Sequence, residues 1–177
     1  MYGRLLAVGC GAIVLGGAAP AHALTAHVDG NALVVNAAKG EQNILAVQPD
    51  PSGPTQASFL IVESGTATTH AGPGCEKTLR VIRCALPYEN PGVQLSLSLG
   101  NKHDYAVVAG TQFYYEQVDA GNGNDRVDLS RATGSGWIIG GPGNDQLNTR
   151  NGAWDTVDCG SGADALIADP FDVQYGC

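Results

Sequence analysis

Residues 120–128 read AGNGNDRVD, residues 140–148 read GGPGNDQLN and residues 159–167 read CGSGADALI. Each segment has glycine at its second and fourth positions, aspartate at its sixth and an aliphatic residue at its eighth. The candidate site residues at these positions are Gly121, Gly123, Asp125, Gly141, Gly143, Asp145, Gly160, Gly162 and Asp164. This nonapeptide pattern, GGxGxDxUx, is typical of a parallel β-roll built from stacked coils.

Two weaker copies fill the intervals between these segments. Residues 150–158 (RNGAWDTVD) keep the aspartate as Asp155, whereas residues 131–139 (RATGSGWII) lack it. Asp125 and Asp145 are 20 residues apart, and Asp164 follows 19 residues later. These intervals are close to two nonapeptides, which would form one full turn of a two-sided coil. We therefore expect these three aspartates to stack in one column.

A column of aspartates needs a counter-charge. Neighbouring strands lie about 4.8 Å apart, and two carboxylates at that distance repel by roughly 3 to 4 kcal/mol at an effective dielectric constant near 20. Calcium suits flexible cages of carboxylate and carbonyl oxygens better than magnesium does. Glycines would allow the turn to adopt positive φ and bring carbonyls close to the ion. We therefore predict calcium ligands at the nine residues above and at Asp155.

Two alternatives to a calcium site remain open. Glycine, asparagine and aspartate are also the commonest residues of ordinary turns, so one GND triplet alone would indicate no more than a turn. The second alternative is a β-solenoid whose outer copies have lost the ion.

Composition limits the classes of partner. The chain has 177 residues, with 25 glycines but only 3 phenylalanines and 2 tryptophans, which favours small turns and stacked strands. The formal net charge is −8, so nucleic acid and anionic membrane surfaces are unfavourable partners.

The N-terminus has the pattern of a secretory signal peptide. Arg4 precedes an apolar run over residues 5–19, and residues 21–23 read AHA, an AxA cleavage signal. We predict cleavage after Ala23 and an extracellular protein, either secreted or associated with the cell wall. Cys10 suggests a lipoprotein as an alternative, but Ala7 stands where leucine would be expected. No other stretch is long and apolar enough to span a bilayer.

Four cysteines follow the predicted cleavage site: Cys75, Cys84, Cys159 and Cys177. An even number in an exported chain implies disulfides, and four cysteines allow three pairings. Proximity in the sequence favours Cys75 with Cys84 and Cys159 with Cys177. No CxxC motif occurs, and no histidine lies near these cysteines in the sequence, which disfavours a redox or metal site.

The chain before the repeats predicts short β-strands. Residues 24–100 alternate apolar and polar residues between turns rich in glycine and proline, and helical periodicity is absent. Asp29, Gly30 and Asn31 are typical of a hairpin turn, and residues 39–47 are consistent with a metal-free first coil. We expect an all-β fold with a signal peptide (1–23), a strand-rich region (24–100) and a β-roll with a disulfide-tied cap (101–177).

These motifs resemble secreted calcium-binding proteins of the RTX, or haemolysin-type repeat, family, in particular small exported members of actinobacterial type. Residues 71–84 (AGPGCEKTLRVIRC) are similar to a cysteine loop of that family, and residues 155–177 resemble its C-terminal cap. The resemblance implies calcium held by glycine carbonyls and by aspartates one coil apart, here Asp125, Asp145 and Asp164. The sequence departs from the family pattern at residues 101–104, where a GDGND-like run is usual, and at residues 131–139.

Three functions are compatible with this pattern. The first is an exported, non-catalytic calcium-binding protein whose ions order the roll. The second is a calcium-dependent adhesion or surface module with a cell-surface or extracellular polymer as its partner. The third is a secreted hydrolase on a β-helix scaffold, which the absence of HExxH and GxSxG motifs disfavours.

Overall fold

The computed structural model describes residues 23–37, 39–54, 57–65, 68–87, 92–110 and 113–177. These residues form sixteen β-strands and no helix, so the predicted all-β class is confirmed. None of the described ranges accordingly contains a helix that could cross a membrane. The predicted signal peptide, apart from Ala23, lies outside the described residues.

The strands are short and spread over the whole described chain. They are β1 (Ala23–Asp29), β2 (Ala32–Asn36), β3 (Ile44–Pro49), β4 (Ser58–Glu63), β5 (Thr68–Ala71), β6 (Cys75–Thr78), β7 (Val81–Ala85), β8 (Val93–Ser98), β9 (Tyr105–Gly110), β10 (Phe113–Asp119), β11 (Arg126–Ala132), β12 (Ser135–Ile139), β13 (Gln146–Asn148), β14 (Asp155–Asp158), β15 (Ala165–Ile167) and β16 (Val173–Tyr175).

The strands form two mixed sheets of eight strands each. The first sheet has the order β16-β14-β12-β10-β8-β2-β1-β5, and the second has the order β15-β13-β11-β9-β3-β4-β7-β6. From β8 onward, consecutive strands alternate between the two sheets, and each pairs in parallel with the strand two places along the chain. We call one strand of the first sheet, the next strand of the second sheet and the turns beside them a coil.

The strand-rich region before residue 100 belongs to the same two sheets. Strand β2 pairs in parallel with β8, and β3 pairs in parallel with β9, so both sheets continue across residue 100. The antiparallel pairings lie within β1–β7. As predicted, β1 and β2 form a hairpin, and Gly30 adopts a φ of 59° in its turn.

The core is a layer of mainly aliphatic side chains, and it includes the stacked rings of Phe59 and Phe113, whose centroids lie 4.5 Å apart. The eighth-position residues Val127, Leu147 and Val157 are at most 1% exposed, as is Ile138 of the copy that lacks aspartate. Burying each such side chain stabilises the fold by about 1.5 to 3 kcal/mol. Leu166 is only partly buried, because β15 ends the second sheet and no further coil covers it.

Both disulfides have the pairing that sequence proximity favours. Cys75 and Cys84 face each other on the antiparallel strands β6 and β7. Cys159 follows β14 and is fully buried, and its disulfide to Cys177 ties the chain beyond β16 to the preceding coil. The Cys159 amide also donates a 2.9 Å hydrogen bond to the carbonyl of Tyr175.

Candidate metal centre

The turns that enter the second sheet repeat one backbone conformation. In the three strong copies the second-position glycines have φ of 90°, 96° and 91°, and the fourth-position glycines have φ of 153°, 151° and 147°. A Cβ at Gly143 would overlap the carbonyl oxygen of Gly123, and a Cβ at Gly162 would overlap that of Gly143. The coils approach backbone to backbone here, so only glycine fits.

Four aspartates lie at the ends of these turns, one coil apart; we call Asp104, Asp125, Asp145 and Asp164 the aspartate column. The backbone amide of each of the first three donates to Oδ1 of the next aspartate, at 2.7, 2.8 and 2.8 Å. Asn43 continues the series, since its amide donates to Oδ1 of Asp104 at 2.6 Å. The structure thus stacks Asp125, Asp145 and Asp164 as predicted.

The other carboxylate oxygen of each aspartate has no such partner. Oδ2 of Asp104, Asp125, Asp145 and Asp164 is buried and makes no hydrogen bond. The side chains of the first three are almost completely buried, and Asp164, in the outermost coil, is half-buried. Buried polar atoms normally have partners. Four equivalent orphaned oxygens in a row fit a column that binds a hard cation.

Burial raises the pKa of the column carboxylates. The pKa of Asp125 is raised to about 6, mainly because burial penalises its charge. The hydrogen bond from the Asp104 amide lowers this pKa, and the charges of Asp104 and Asp145 raise it. Burial likewise raises the pKa of Asp104 and Asp145. The ionised column is therefore unfavourable without a proton or a cation.

Main-chain carbonyls are available beside the column. A Cβ at Gly140 would stand 2.9 Å from the orphaned Oδ2 of Asp145 and would overlap the carbonyl oxygen of Cys159. A carboxylate oxygen and a carbonyl oxygen thus converge on the space that this glycine leaves. Both are hard oxygen donors, the type that calcium prefers.

Pro142 changes the hydrogen bonding of one turn. The amide of Asn122 donates a 3.0 Å hydrogen bond to the carbonyl of Gly100 in the preceding coil. In the same way, the amide of Ser161 donates a 3.0 Å hydrogen bond to the carbonyl of Gly141. Proline has no amide hydrogen, so the carbonyl of Gly121 cannot receive the equivalent bond. The turn at Pro142 therefore lacks one of the hydrogen bonds that link the neighbouring coils.

Asp155 does not belong to the aspartate column. It begins β14 in the first sheet, on the other side of the coil. Asp155 is in register with Gly136 of β12, and Gly136 is in register with Glu116 of β10. Asp155 was predicted as a calcium ligand from its place in the repeat, whereas Glu116 was not, and Asp104 ends the segment 101–104 that departs from the family pattern. Both acids keep the one-coil spacing of the repeat, since Asp104 lies 21 residues before Asp125 and Glu116 lies 20 residues before Gly136.

His103 is exposed beside the column and accepts a 2.7 Å hydrogen bond at Nδ1 from the amide of Asn124.

Within the described ranges, no three histidine, cysteine, aspartate or glutamate side chains are grouped to hold a metal ion. A cation bound at the column would therefore depend on one or two carboxylates and on main-chain carbonyls, as the glycine-rich turns allow.

Comparisons with protein-family profiles, with curated proteins and with solved structures found no match for this chain.

Proposed function

We propose that the protein is an exported, non-catalytic calcium-binding protein, and that its alternating strands form a parallel β-roll ordered by calcium. The observation that carries this proposal is the set of four buried Oδ2 atoms without partners in the aspartate column. They recur at the one-coil interval of the glycine-rich turns, where a Cβ would overlap the neighbouring backbone.

The residues that would hold calcium at the column are the predicted ones apart from Asp155, which lies on the other side of the coils. Asp125, Asp145 and Asp164 would supply charge, and the paired glycines of their turns would supply carbonyl oxygens. Calcium accepts six to eight oxygen ligands in flexible geometry, whereas magnesium requires a tight octahedron and retains its water. The bound ion would neutralise carboxylates whose ionisation burial otherwise disfavours.

Calcium binding at such a site would stabilise the folded protein outside the cell. Extracellular calcium modules bind with dissociation constants of roughly 10⁻⁴ to 10⁻³ M. At a free concentration about 100 times the dissociation constant, each independent site adds about 2.7 kcal/mol to the free energy of unfolding. The coils would then be less ordered before export than after it.

A calorimetric calcium titration of the purified protein, reversed with a chelator, tests the proposal. We expect saturable binding, a higher melting temperature and a stronger β-sheet signal in circular dichroism, with a much weaker response to magnesium. Absence of calcium binding, or an equal response to magnesium, would refute the proposal.

A calcium-dependent adhesion module is a second candidate, and one observation favours it. Trp137, Trp154, Phe171 and Tyr175 are 40 to 65% exposed, and the rings of Trp154 and Phe171 stack at 6.1 Å. Exposed aromatic rings are suited to contact partners through large rigid surfaces. Retention on cell-wall polysaccharide that needs calcium and is lost in Trp154→Ala would support this candidate, and retention that is equal with chelator would contradict it.

A further inference from the structure

Both tryptophans of the chain lie on the solvent-facing side of the first sheet. Trp137 in β12 is 45% exposed, and Trp154, directly before β14, is 65% exposed. Residues of β10, β12 and β14 alternate between buried positions and positions that are exposed or partly exposed. One side of each strand therefore belongs to the core and the other side faces solvent, and the tryptophans are on the side that faces solvent.

Five aromatic residues lie near one another on this side of the sheet. The strands β10, β12, β14 and β16 are consecutive neighbours in parallel pairing. The rings of Trp154 and Phe171 stack, with centroids 6.1 Å apart and planes 13° apart. We call the five residues the aromatic face: Tyr115, Trp137, Trp154, Phe171 and Tyr175.

The solvent-facing side of the second sheet has a different composition, although the same repeats build both sheets. Its strands β11 and β13 present Arg126, Asp128, Gln146 and Asn148. The one aromatic residue of β9, β11, β13 and β15 is Tyr105, and the guanidinium carbon of Arg126 lies 5.3 Å from the centre of its ring. The general preference of aromatic residues for strands does not explain why they are concentrated on one sheet.

Hydrogen-bonding side chains lie between the rings of the aromatic face, and none of them is basic. Gln117, Ser135 and Thr156 provide amide and hydroxyl groups. Asp119 and Asp158 provide carboxylates. Arginine and lysine are absent from β10, β12, β14 and β16. An anionic polymer would therefore find no counter-charge here, and the two carboxylates would repel it.

An uncharged polysaccharide has the chemistry that this surface can recognise. One side of a sugar ring consists of C–H bonds, whose slightly positive hydrogens suit the negative face of an aromatic ring. The rim of the sugar ring carries hydroxyl groups, which the amide, hydroxyl and carboxylate groups between the aromatic rings can bind. The centre of a protein interface is typically rich in arginine and methionine as well as in aromatic residues, and the aromatic face has neither arginine nor methionine.

We propose that the aromatic face binds an uncharged polysaccharide that lies across β10, β12, β14 and β16. These strands are separated by three inter-strand spacings, about 14 Å in all, so a chain of sugars would contact more than one aromatic ring. A single sugar would contact only one. The inference rests on the second candidate function, the adhesion module, and names its binding surface and the class of its partner.

Affinity electrophoresis of the purified protein, with calcium and with chelator, tests the proposal. The uncharged probes are laminarin, hydroxyethyl cellulose and galactomannan, and the anionic probe is polygalacturonate. Trp137→Ala and Trp154→Ala each remove one ring of the aromatic face. Tyr105→Ala is the matched control, because it removes an aromatic ring from the second sheet.

We expect at least one uncharged probe to retard the wild type and Tyr105→Ala equally. Each tryptophan variant should bind at least about tenfold more weakly, the loss typical of a central tryptophan in a binding surface. Polygalacturonate in chelator should retard none of the proteins. If no uncharged probe retards the wild type, if both tryptophan variants bind as tightly as the wild type, or if polygalacturonate binds best, the proposal is wrong.

Tryptophan fluorescence gives an independent measurement. Because both tryptophans of the chain belong to the aromatic face, oligosaccharides of the retarding polysaccharide should change the emission of the wild type, and longer ones should do so at lower concentration. Equal concentrations for the monosaccharide and the longest oligosaccharide would contradict binding across several strands. Melting temperatures equal to that of the wild type identify the variants that remain folded, since both substituted tryptophans are exposed.

Two further outcomes separate this proposal from its alternatives. A wild-type dimer in sedimentation that Trp154→Ala dissociates would assign the aromatic face to a second copy of the chain and refute polysaccharide binding. Retardation in a protein that binds no calcium would refute the proposed calcium function and support this inference. Calcium binding without retardation would support the calcium function and refute this inference.

Discussion

The amide nitrogen of Asp125 donates a 2.8 Å hydrogen bond to Oδ1 of Asp145, one coil later, while Oδ2 of the same carboxylate is buried without a partner. One carboxylate therefore has two separable roles. Its first oxygen joins two coils, and its second oxygen is available to a cation.

The two roles can be separated by substitution at Asp145. Asp145→Asn keeps an oxygen for the Asp125 amide, so stability in chelator should be unchanged or slightly higher, while the calcium-induced rise in melting temperature becomes smaller. Asp145→Ala also leaves that amide unsatisfied, which costs about 1 to 3 kcal/mol with or without calcium. Denaturant unfolding of both variants, with and without chelator, measures the difference. Equal stability of the two variants in chelator would contradict the first role.

The close approach of the coils makes some glycines irreplaceable. Gly143→Ala places a Cβ against the carbonyl oxygen of Gly123 at a φ of 151°. We expect destabilisation well above the cost of the backbone conformation alone. Gly152→Ala is the control, because Gly152 has a φ of 84° but open space around its Cβ position, and it should cost only about 1 to 2 kcal/mol. Similar melting temperatures for the two variants would exclude tight stacking at Gly143.

Stability without calcium should decrease as pH rises. The carboxyl pKa values are raised to about 6 in Asp125 and Asp155 and to about 8 in Glu116. Because the folded state binds these protons more tightly than the unfolded chain, the stability that these three groups contribute is full below about pH 4 and is lost through about pH 6 and then about pH 8. Melting temperatures in chelator across this range measure the effect.

Calcium should change this pH profile, because the ion and the protons compete for the same oxygens. Apparent calcium affinity should therefore rise between about pH 5 and about pH 8. The Glu116→Gln variant should lose the upper part of the chelator profile and keep the lower part. A flat profile in chelator, or one that rises with pH, would contradict the burial of ionisable carboxylates.

Removal of the Cys159–Cys177 disulfide should loosen the end of both sheets. Cys177→Ser leaves the buried Cys159 in place and removes a cross-link that closes a loop of 18 residues, worth about 3 kcal/mol. Chemical denaturation under oxidising conditions measures this loss, and reduction of the wild type provides a comparison that also opens Cys75–Cys84. A variant as stable as the wild type would show that β16 holds its place without the cross-link.

The repeated turns were predictable from sequence because their constraints are local. Where a Cβ would overlap a neighbouring carbonyl, as at Gly123 and Gly143, only glycine fits, so glycine recurs at a fixed position of the repeat. Glu116 keeps the one-coil spacing, but residues 111–119 (TQFYYEQVD) lack the paired glycines, so the glycine motif does not identify it. The pairing of β2 with β8 and of β3 with β9 could not be predicted from the sequence either, because the alternation of residues within a strand does not specify which strand it pairs with.

The hydrogen bonds of the aspartate column all point the same way along the chain. Each carboxylate accepts a hydrogen bond from a backbone amide of the preceding coil. The amide of a given turn therefore has its acceptor only after the following turn has been added. A chain that emerges with its N-terminus first would therefore carry one unfinished turn at its growing end at every stage. In the aspartate column, the direction of synthesis and the direction in which the hydrogen bonds support the backbone are therefore opposite.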